Sequence, residues 1–538
     1  MDGQDRRKPR YGKPADGKPF AKRAPEGQRP ARGGPYGKPA GERPARSGPY
    51  GKPAGERPAR SGPYGKPVGE GRPAFRRQPG PMSPRPVPPR PAAPILSPDA
   101  RRSALLVLNR VLIDEGFASL SLDEQFQQAT LSPRDKRLAT ALVYTTLENL
   151  LKLDFALDRF LKDRTELDPR VLNLLRMSAC QLLLMDRVPD FAAVNEAVNL
   201  TRGMGLEAMT GLVNGVLRSL VREKDNIPWP QEGDPDYLSI TYSIPAWLIE
   251  RITAGYGEET ARQIVAFRKS QHAITIRRNT LRLSQKEFDE VLGKKVWQLS
   301  PGLLPDVHHV SGAASIARDI HFLEGAFSIQ GEGSMMAALA VAPGIGARVL
   351  DACAAPGGKT CLMAEMMQNT GRIHAWDVHE HRIKLLEAQL ERLRIYNVRP
   401  AVRDASVHQE RFDGEMDAVL IDAPCSGTGV MAEKPDVKCR LTPEGLAALQ
   451  DIQHRLLDAC APYVKSGGTL VYATCSLLPE ENSQQIERFL REHPEFSLDR
   501  LPESIPESFR AHSGAQGLQL LPHRDGVEGF FIARMKKA

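Results

Sequence analysis

Two cysteines sit where a thiolate could reach a bound ligand. Cys425 lies in Ile421-Asp-Ala-Pro-Cys-Ser-Gly-Thr-Gly429, and Cys475 lies in Tyr472-Ala-Thr-Cys-Ser476. Each follows an apolar, strand-like run. A cysteine at a strand end, in a polar loop beside a basic residue or a helix start, can have a lowered pKa and act as a nucleophile. Any cysteine can instead be a small buried hydrophobe, and that reading is assigned to Cys180, Cys361 and Cys460. Cys439, in a charged loop, receives no role. Three acids complete the pattern, each at a strand end: Asp377, Asp404 and Asp422. Asp377 is about 20 residues past a glycine turn, where an acid accepts both ribose hydroxyls of an adenosine cofactor. Asp404 is placed to accept from an adenine amino group. Taken singly, each of these acids also reads as a helix cap or turn residue.

The turn itself is Val349-Leu-Asp-Ala-Cys-Ala-Ala-Pro-Gly-Gly-Lys-Thr360. It starts as a strand and ends in small residues that open a helix, so Cys353, Ala354, Ala355, Pro356, Gly357, Gly358 and Lys359 form the candidate cofactor cradle. Ligands of α/β proteins sit at the carboxyl ends of parallel strands, where glycines let the backbone approach. The spacing matches neither a phosphate loop nor the dinucleotide fingerprint. No metal is expected: His374, His379 and His381 cluster without carboxylate or cysteine partners at ligand spacing and read as solvated surface.

The elements that must hold these residues follow in alternation from residue 347. Strands are expected at 348–351, 372–377, 398–403, 418–422 and 469–474. Helices are expected at 359–368, 380–392, 443–464 and 480–493. Residues 518–522 and 529–533 read as an antiparallel pair. This is a doubly wound α/β, Rossmann-like domain, assigned to 326–538. Residues 97–228 read as a compact all-α domain, with Pro at the first helical position after Ser97, Ser132 and Asp168. Residues 229–325 read as a small α+β unit: a Pro-rich connection over 226–246, one helix over 247–269, a strand over 273–282 and a short helix over 284–292. Residues 327–330 lead into a helix over 334–341, just before the cofactor strand.

Residues 1–96 are a different material. No Leu or Ile occurs before Ile95, and a 14-residue unit beginning Gly34-Pro-Tyr-Gly-Lys recurs from Gly48 and degrades from Gly62. The first 94 residues carry a net charge of +15 in a chain of +8, so the remainder is near −7. Such a tail cannot bury enough apolar surface to offset its ordering entropy and is expected to be disordered. It reads either as a basic tether with spaced tyrosines for single-stranded RNA or as an expendable soluble extension. Seven scattered cysteines, with no Cys-x-x-Cys pair, argue against a disulfide framework and fit a reducing cytoplasm. Neither a signal peptide nor an 18-residue apolar run is found, so no membrane association is expected.

At Asp351–Thr360, Asp422–Gly427 and Thr474–Ser476 the sequence resembles the Nop/Sun family of RNA cytosine-5 methyltransferases. Leu142–Leu147, Leu174–Leu182, Ala193–Val198 and Leu212–Arg218 resemble the NusB-like RNA-binding domain fused in the bacterial 16S rRNA enzymes of the Sun/Fmu type. The resemblance spans roughly 97–536. It implies S-adenosyl-L-methionine as methyl donor, held by Cys353–Lys359 with Asp377 on the ribose and Asp404 near the adenine. It places Asp422 between cofactor and target base, makes Cys475 the nucleophile and makes Cys425 the helper in product release. It also implies RNA as partner, most specifically small-subunit rRNA; a monomer is expected, with the oligomeric state left open by the sequence. A role for Cys425 as the attacking thiol stays open. The chain departs from the family pattern at Arg403 (glycine is usual), at Gly331 (aspartate is common) and at Glu433 (a basic residue is common).

Overall fold

The structure is a computed structural model that describes residues 99–268, 273–313 and 315–538. The basic repeat tail, Ser97, Pro98 and Lys269 lie outside the described residues.

Seven α-helices fill 100–223, from Ala100–Leu112 to Thr210–Glu223. Their starts follow capping chemistry. Ser132 accepts from the Asp135 amide at 3.1 Å and Asp168 from the Arg170 amide at 2.9 Å, each with Pro next in sequence. The first helix differs from expectation. Asp99 is its cap, accepting from the Arg102 amide, so the helix opens at Ala100 without a proline at its first position. Leu105, Leu108, Val111, Leu142, Leu174 and Leu217 face one buried core.

The next stretch corrects three expectations. The Pro-rich connection contains a helix, Tyr237–Tyr242, closed by Ser243 in the left-handed region (φ 54°). The expected single helix after it is two, Ala246–Tyr256 and Glu258–Ala266, broken at Gly257 (φ 78°). The small unit is an antiparallel sheet of β1 (Ile274–Arg278), β2 (Gln298–Pro301), β3 (Val307–Ser311) and β4 (Phe327–Ile329), in the order β2-β3-β1-β4. Thus β4, expected as a lead-in to the cofactor half, pairs with β1 instead. All four residues of β2 are exposed, which is why no alternation marked it.

The large sheet comprises β5 (Arg348–Asp351), β6 (Arg372–Asp377), β7 (Val398–Val402), β8 (Met416–Asp422), β9 (Val464–Thr474), β10 (Phe496–Leu498), β11 (Ser513–Gly514), β12 (Gly517–Leu520) and β13 (Phe530–Lys537). The order is β11-β12-β13-β9-β8-β5-β6-β7, with β10 also paired to β13. Strands β5 to β9 run parallel, and β13 lies antiparallel between β9 and β12. Alternate residues face opposite cores. Val349, Leu420 and Val471 pack under the helices Glu332–Val341, Gly358–Met366 and Glu380–Leu393. Leu350, Val419, Ile421 and Tyr472 pack under Pro443–Cys460 and Ser483–Glu492. The expected helix over 443–464 stops at Cys460, because Pro462 forces a 3-10 turn and Val464 already begins β9. The strand order reverses between β5 and β8, which opens a crevice at their carboxyl ends.

Candidate active site

Strands β8 and β9 are neighbours, with Asp422 opposite Ala473. The loops that leave them therefore start side by side. Cys425 Sγ and Cys475 Sγ lie 3.4 Å apart, both half-buried and both free thiols. The pair is asymmetric. A hydrogen bond from Cys425 lowers the Cys475 pKa, opposed by burial and Asp422 and helped by the Lys359 and Lys434 ammonium groups. The same contact, with burial, holds Cys425 well above the usual thiol range. Either sulfur can donate at this distance, and the two opposite shifts favour Cys475 as the acceptor.

A buried acid fixes both loops. Glu481 accepts from the Ser426 amide at 2.8 Å and from Gln453 Nε2 at 2.9 Å, while the Ser426 and Ser476 hydroxyls donate to its other oxygen. Asn482 donates to the Ser476 carbonyl at 2.9 Å and accepts from the Thr474 hydroxyl. Sequence reasoning missed both, counting 480–482 as ordinary first-turn helix residues. The signal was the Glu480-Glu481-Asn482 run directly after the apolar Leu477-Leu478-Pro479. Backbone completes the frame: the Gly429 amide donates to the Cys475 carbonyl and the Gly529 amide to the Gly429 carbonyl, both at 2.9 Å. A Cβ on Gly429 would lie 2.0 Å from the Gly529 oxygen, so only glycine fits.

Lys359 Nζ donates to Asp422 Oδ2 at 2.7 Å and sits 4.9 Å from the centre of the Phe530 ring. Burial acts to lower the Lys359 pKa, but Asp422 outweighs it and holds the ammonium above its ordinary range. The remainder of the turn is stitched to the strands beside it. The Ala352 amide donates to the Leu420 carbonyl on β8 (2.9 Å) and the Ala354 amide to the Trp376 carbonyl on β6 (2.7 Å). Gly357 takes φ 112°, and a Cβ there would lie 2.6 Å from Leu386. Cys353 is partly buried and packs against the core under the Pro443–Cys460 helix.

The turn also carries an unmet polar demand. Asp351, fully buried, receives a 2.7 Å hydrogen bond from Thr360 on Oδ2, while Oδ1 has no partner. Burial pushes this carboxyl up to about 7. Asp377 ends β6, accepts from the His379 amide at 3.0 Å and pairs with Arg382 at 3.2 Å. Arg382, which sequence reasoning missed, also donates to the Ala355 carbonyl at 2.9 Å, so it links turn and acid. Asp404 lies just past β7, exposed, and accepts from the Ser406 amide and hydroxyl at 2.9 and 2.7 Å. A glycine turn, two strand-end acids and an unsatisfied buried carboxylate oxygen fit a polar adenosine-type cofactor.

Two departures from the family pattern have physical accounts here. The Arg403 guanidinium lies over the Trp376 ring (4.9 Å) and donates to Gln409. At Gly331 the backbone is ordinary (φ −76°), but a Cβ would lie 1.8 Å from Glu528 Oε1. Glu528 Oε2 accepts from the Gly333 amide at 3.0 Å and so caps the Glu332–Val341 helix from the far end of the chain. His374 is half-buried against Phe412, not the solvated surface residue expected, and burial with nearby arginines lowers its pKa. Among the described residues one group has metal-like spacing, His454, Asp458 and Glu492, and its members pair with one another.

A family model for 16S rRNA methyltransferase RsmB/F matches residues 338–536, and one for the NusB family matches 98–222. A Bacillus subtilis protein named "Probable ribosomal RNA small subunit methyltransferase B" is 36% identical over 441 residues, covering 81% of this chain and 98% of that one. The chain belongs to the RsmB/F family. The Shewanella oneidensis ribosomal RNA small subunit methyltransferase B is 32% identical over 421 residues, covering 78% and 95% of the two chains. The crystal structure of PH0851 matches with a TM-score of 0.72 and 27% identity, over 81% of this chain and 99% of that one. As an RsmB/F family member the protein is an enzyme of the S-adenosylmethionine-dependent methyltransferase class, with a NusB-type helical region ahead of its Rossmann-like sheet.

Proposed function

We propose that this RsmB/F family enzyme methylates C5 of a cytosine in 16S rRNA through a covalent bond between Cys475 and C6. The observation that carries the reading is the 3.4 Å contact between two unlike thiols, one of them beside the Lys359–Asp422 pair. C5 of cytosine is a poor nucleophile. Addition of the Cys475 thiolate to C6 makes C5 enamine-like and splits one hard step into easier ones. S-adenosylmethionine, when bound, supplies an electrophilic methyl group. Residues Cys353–Lys359, Asp377 and Asp404 are the ones to hold it, with Asp422 between it and the base. After C5 has gained the methyl group, a base removes the C5 proton. The freed electron pair restores the C5–C6 double bond and expels the Cys475 thiolate. Cys425, held as a neutral thiol, assists that expulsion. Asp422 faces the N3/N4 edge of the cytosine, and the target base leaves its stack to reach the sulfur.

The NusB-type region and the basic tail are assigned to RNA, where phosphate contacts make binding salt-sensitive. Among the described residues no helix is long and apolar enough to cross a membrane, and all seven cysteines are free thiols. A monomer working in the cytoplasm is part of the same proposal.

The test is methyl transfer from labelled S-adenosylmethionine to unmodified 16S rRNA by wild type, Cys475→Ser and Cys425→Ser. Label at cytosine C5 that vanishes with Cys475→Ser, and a trapped covalent RNA adduct in Cys425→Ser, are expected. Full activity in Cys475→Ser would transfer the nucleophile to Cys425.

A further inference from the structure

The stretch that follows the Cys425 loop is built into the helical region. Asp436 Oδ2 faces the Ala118 amide at 3.4 Å, at the start of the Ala118–Gln128 helix. The cap position of that helix is Phe117, whose side chain cannot cap it. Lys438, buried, donates to the Glu148 carbonyl at 2.8 Å and the Tyr242 carbonyl at 3.1 Å, the last residues of two further helices. Arg440 donates to the Gly116 carbonyl and to Asp436 and lies over the Phe117 ring at 4.5 Å. Cys439 packs against the helical core. An anion thus meets a helix N-terminus and a cation meets two helix C-termini, the arrangement helix dipoles favour.

The other side of the same stretch lies against the loop that carries Cys425. A Cβ on Gly427, two residues after Cys425, would lie 3.4 Å from Val437 Cγ1. The Lys434 amide donates to the Val430 carbonyl at 2.8 Å, and the Lys434 charge acts on Cys475. Only eight residues therefore separate Cys425 from Lys434, and the stretch just beyond Lys434 is anchored on the helical region.

We infer that Asp436, Lys438 and Arg440 are positioning residues for methyl transfer: the helical region sets the Cys425 loop and Lys434 through them, and the cysteine pair is competent only while that clamp is closed. The inference rests on the proposed role of Cys475. It makes the helical region part of the catalytic apparatus as well as a surface for RNA. RNA seated on those helices would bear directly on the thiols.

The experiment uses the full chain as wild type, Lys438→Met, Lys438→Arg and Asp436→Asn. Four quantities are read for each: kcat with 16S rRNA, RNA Kd, Tm, and the rate at which iodoacetamide alkylates Cys475. Lys438→Met is expected to keep RNA Kd within about threefold while kcat and the alkylation rate fall at least tenfold, with Lys438→Arg recovering part of both. Asp436→Asn, which keeps its shape, is expected to show the same split more weakly and guards against a misfolded Lys438→Met. A lowered Tm with kcat and alkylation within twofold of wild type would reduce the contact to packing and overturn the inference. Absence of methyl transfer by wild type would instead sink the proposed reaction. The alkylation rate would then decide the clamp alone, and an unchanged rate would overturn it.

Discussion

A thiol beside an acid should be hard to ionise, and the half-buried Cys475 is flanked by Asp422. It is nevertheless shifted down, because Cys425 donates to it and two lysines face it. The sign of the pH dependence follows. Activity carried by the thiolate rises with pH through a midpoint shifted down from that of an ordinary thiol. Lys359→Met removes a neighbouring cation and raises that midpoint; kcat/KM against pH checks it, and an unmoved midpoint would refute the electrostatic role of Lys359. At this scale the sequence was most readable where chemistry dictates residue type: the structure brings Cys425, Cys475, Lys359 and Asp422 together, whereas Asp404 stays exposed beside Ser406. Glu481 and Arg382 were not readable, because their work is to accept from and bridge to groups that come together only in the fold.

At the scale of elements, the existence and order of the parallel strands and their helices were legible, since strand-to-helix changes of period are strong signals, but β9 starts five residues earlier than expected and two helix ends differ by three or four residues. The exposed hairpin strand β2 and the break at Gly257 were not legible, one lacking an apolar face and the other being a single residue inside a helical pattern. The Gly429–Gly529 contact is equally silent in sequence, yet it joins the Cys425 loop to the start of β13. Gly429→Ala would push a methyl group against the Gly529 carbonyl. A loss of about 1–3 kcal/mol is expected, as for other overpacked sites, with a fall in methyl transfer larger than the thermal shift alone explains. Urea melts and turnover of the same preparation measure both.

Across the whole molecule, the small antiparallel sheet is locked to the cofactor half by one buried ion pair. Arg277 on β1 donates to both oxygens of Glu365 at 2.5 and 2.9 Å, and the pair is almost wholly removed from solvent. Removing one partner leaves the other charge buried, so Glu365→Ala is expected to cost about 3–5 kcal/mol, and Arg277→Met with Glu365→Leu much less. Chemical denaturation of the single and double variants decides this. No sequence pattern announces a pair 88 residues apart, whereas the division into basic tail, helices and α/β sheet was plain from composition and period. The place of β13 adds a consequence in time. The strand lies inside the sheet, between β9 and β12, and brings Phe530 beneath Lys359 and Gly529 against the Cys425 loop. A ribosome adds about 5–20 residues per second and releases the chain N-terminus first. The helical region can therefore fold while the rest is still being made, but the thiols acquire their surroundings only after β13 has emerged. A nascent chain halted before Phe530 carries every residue assigned to the chemistry and is expected to methylate nothing.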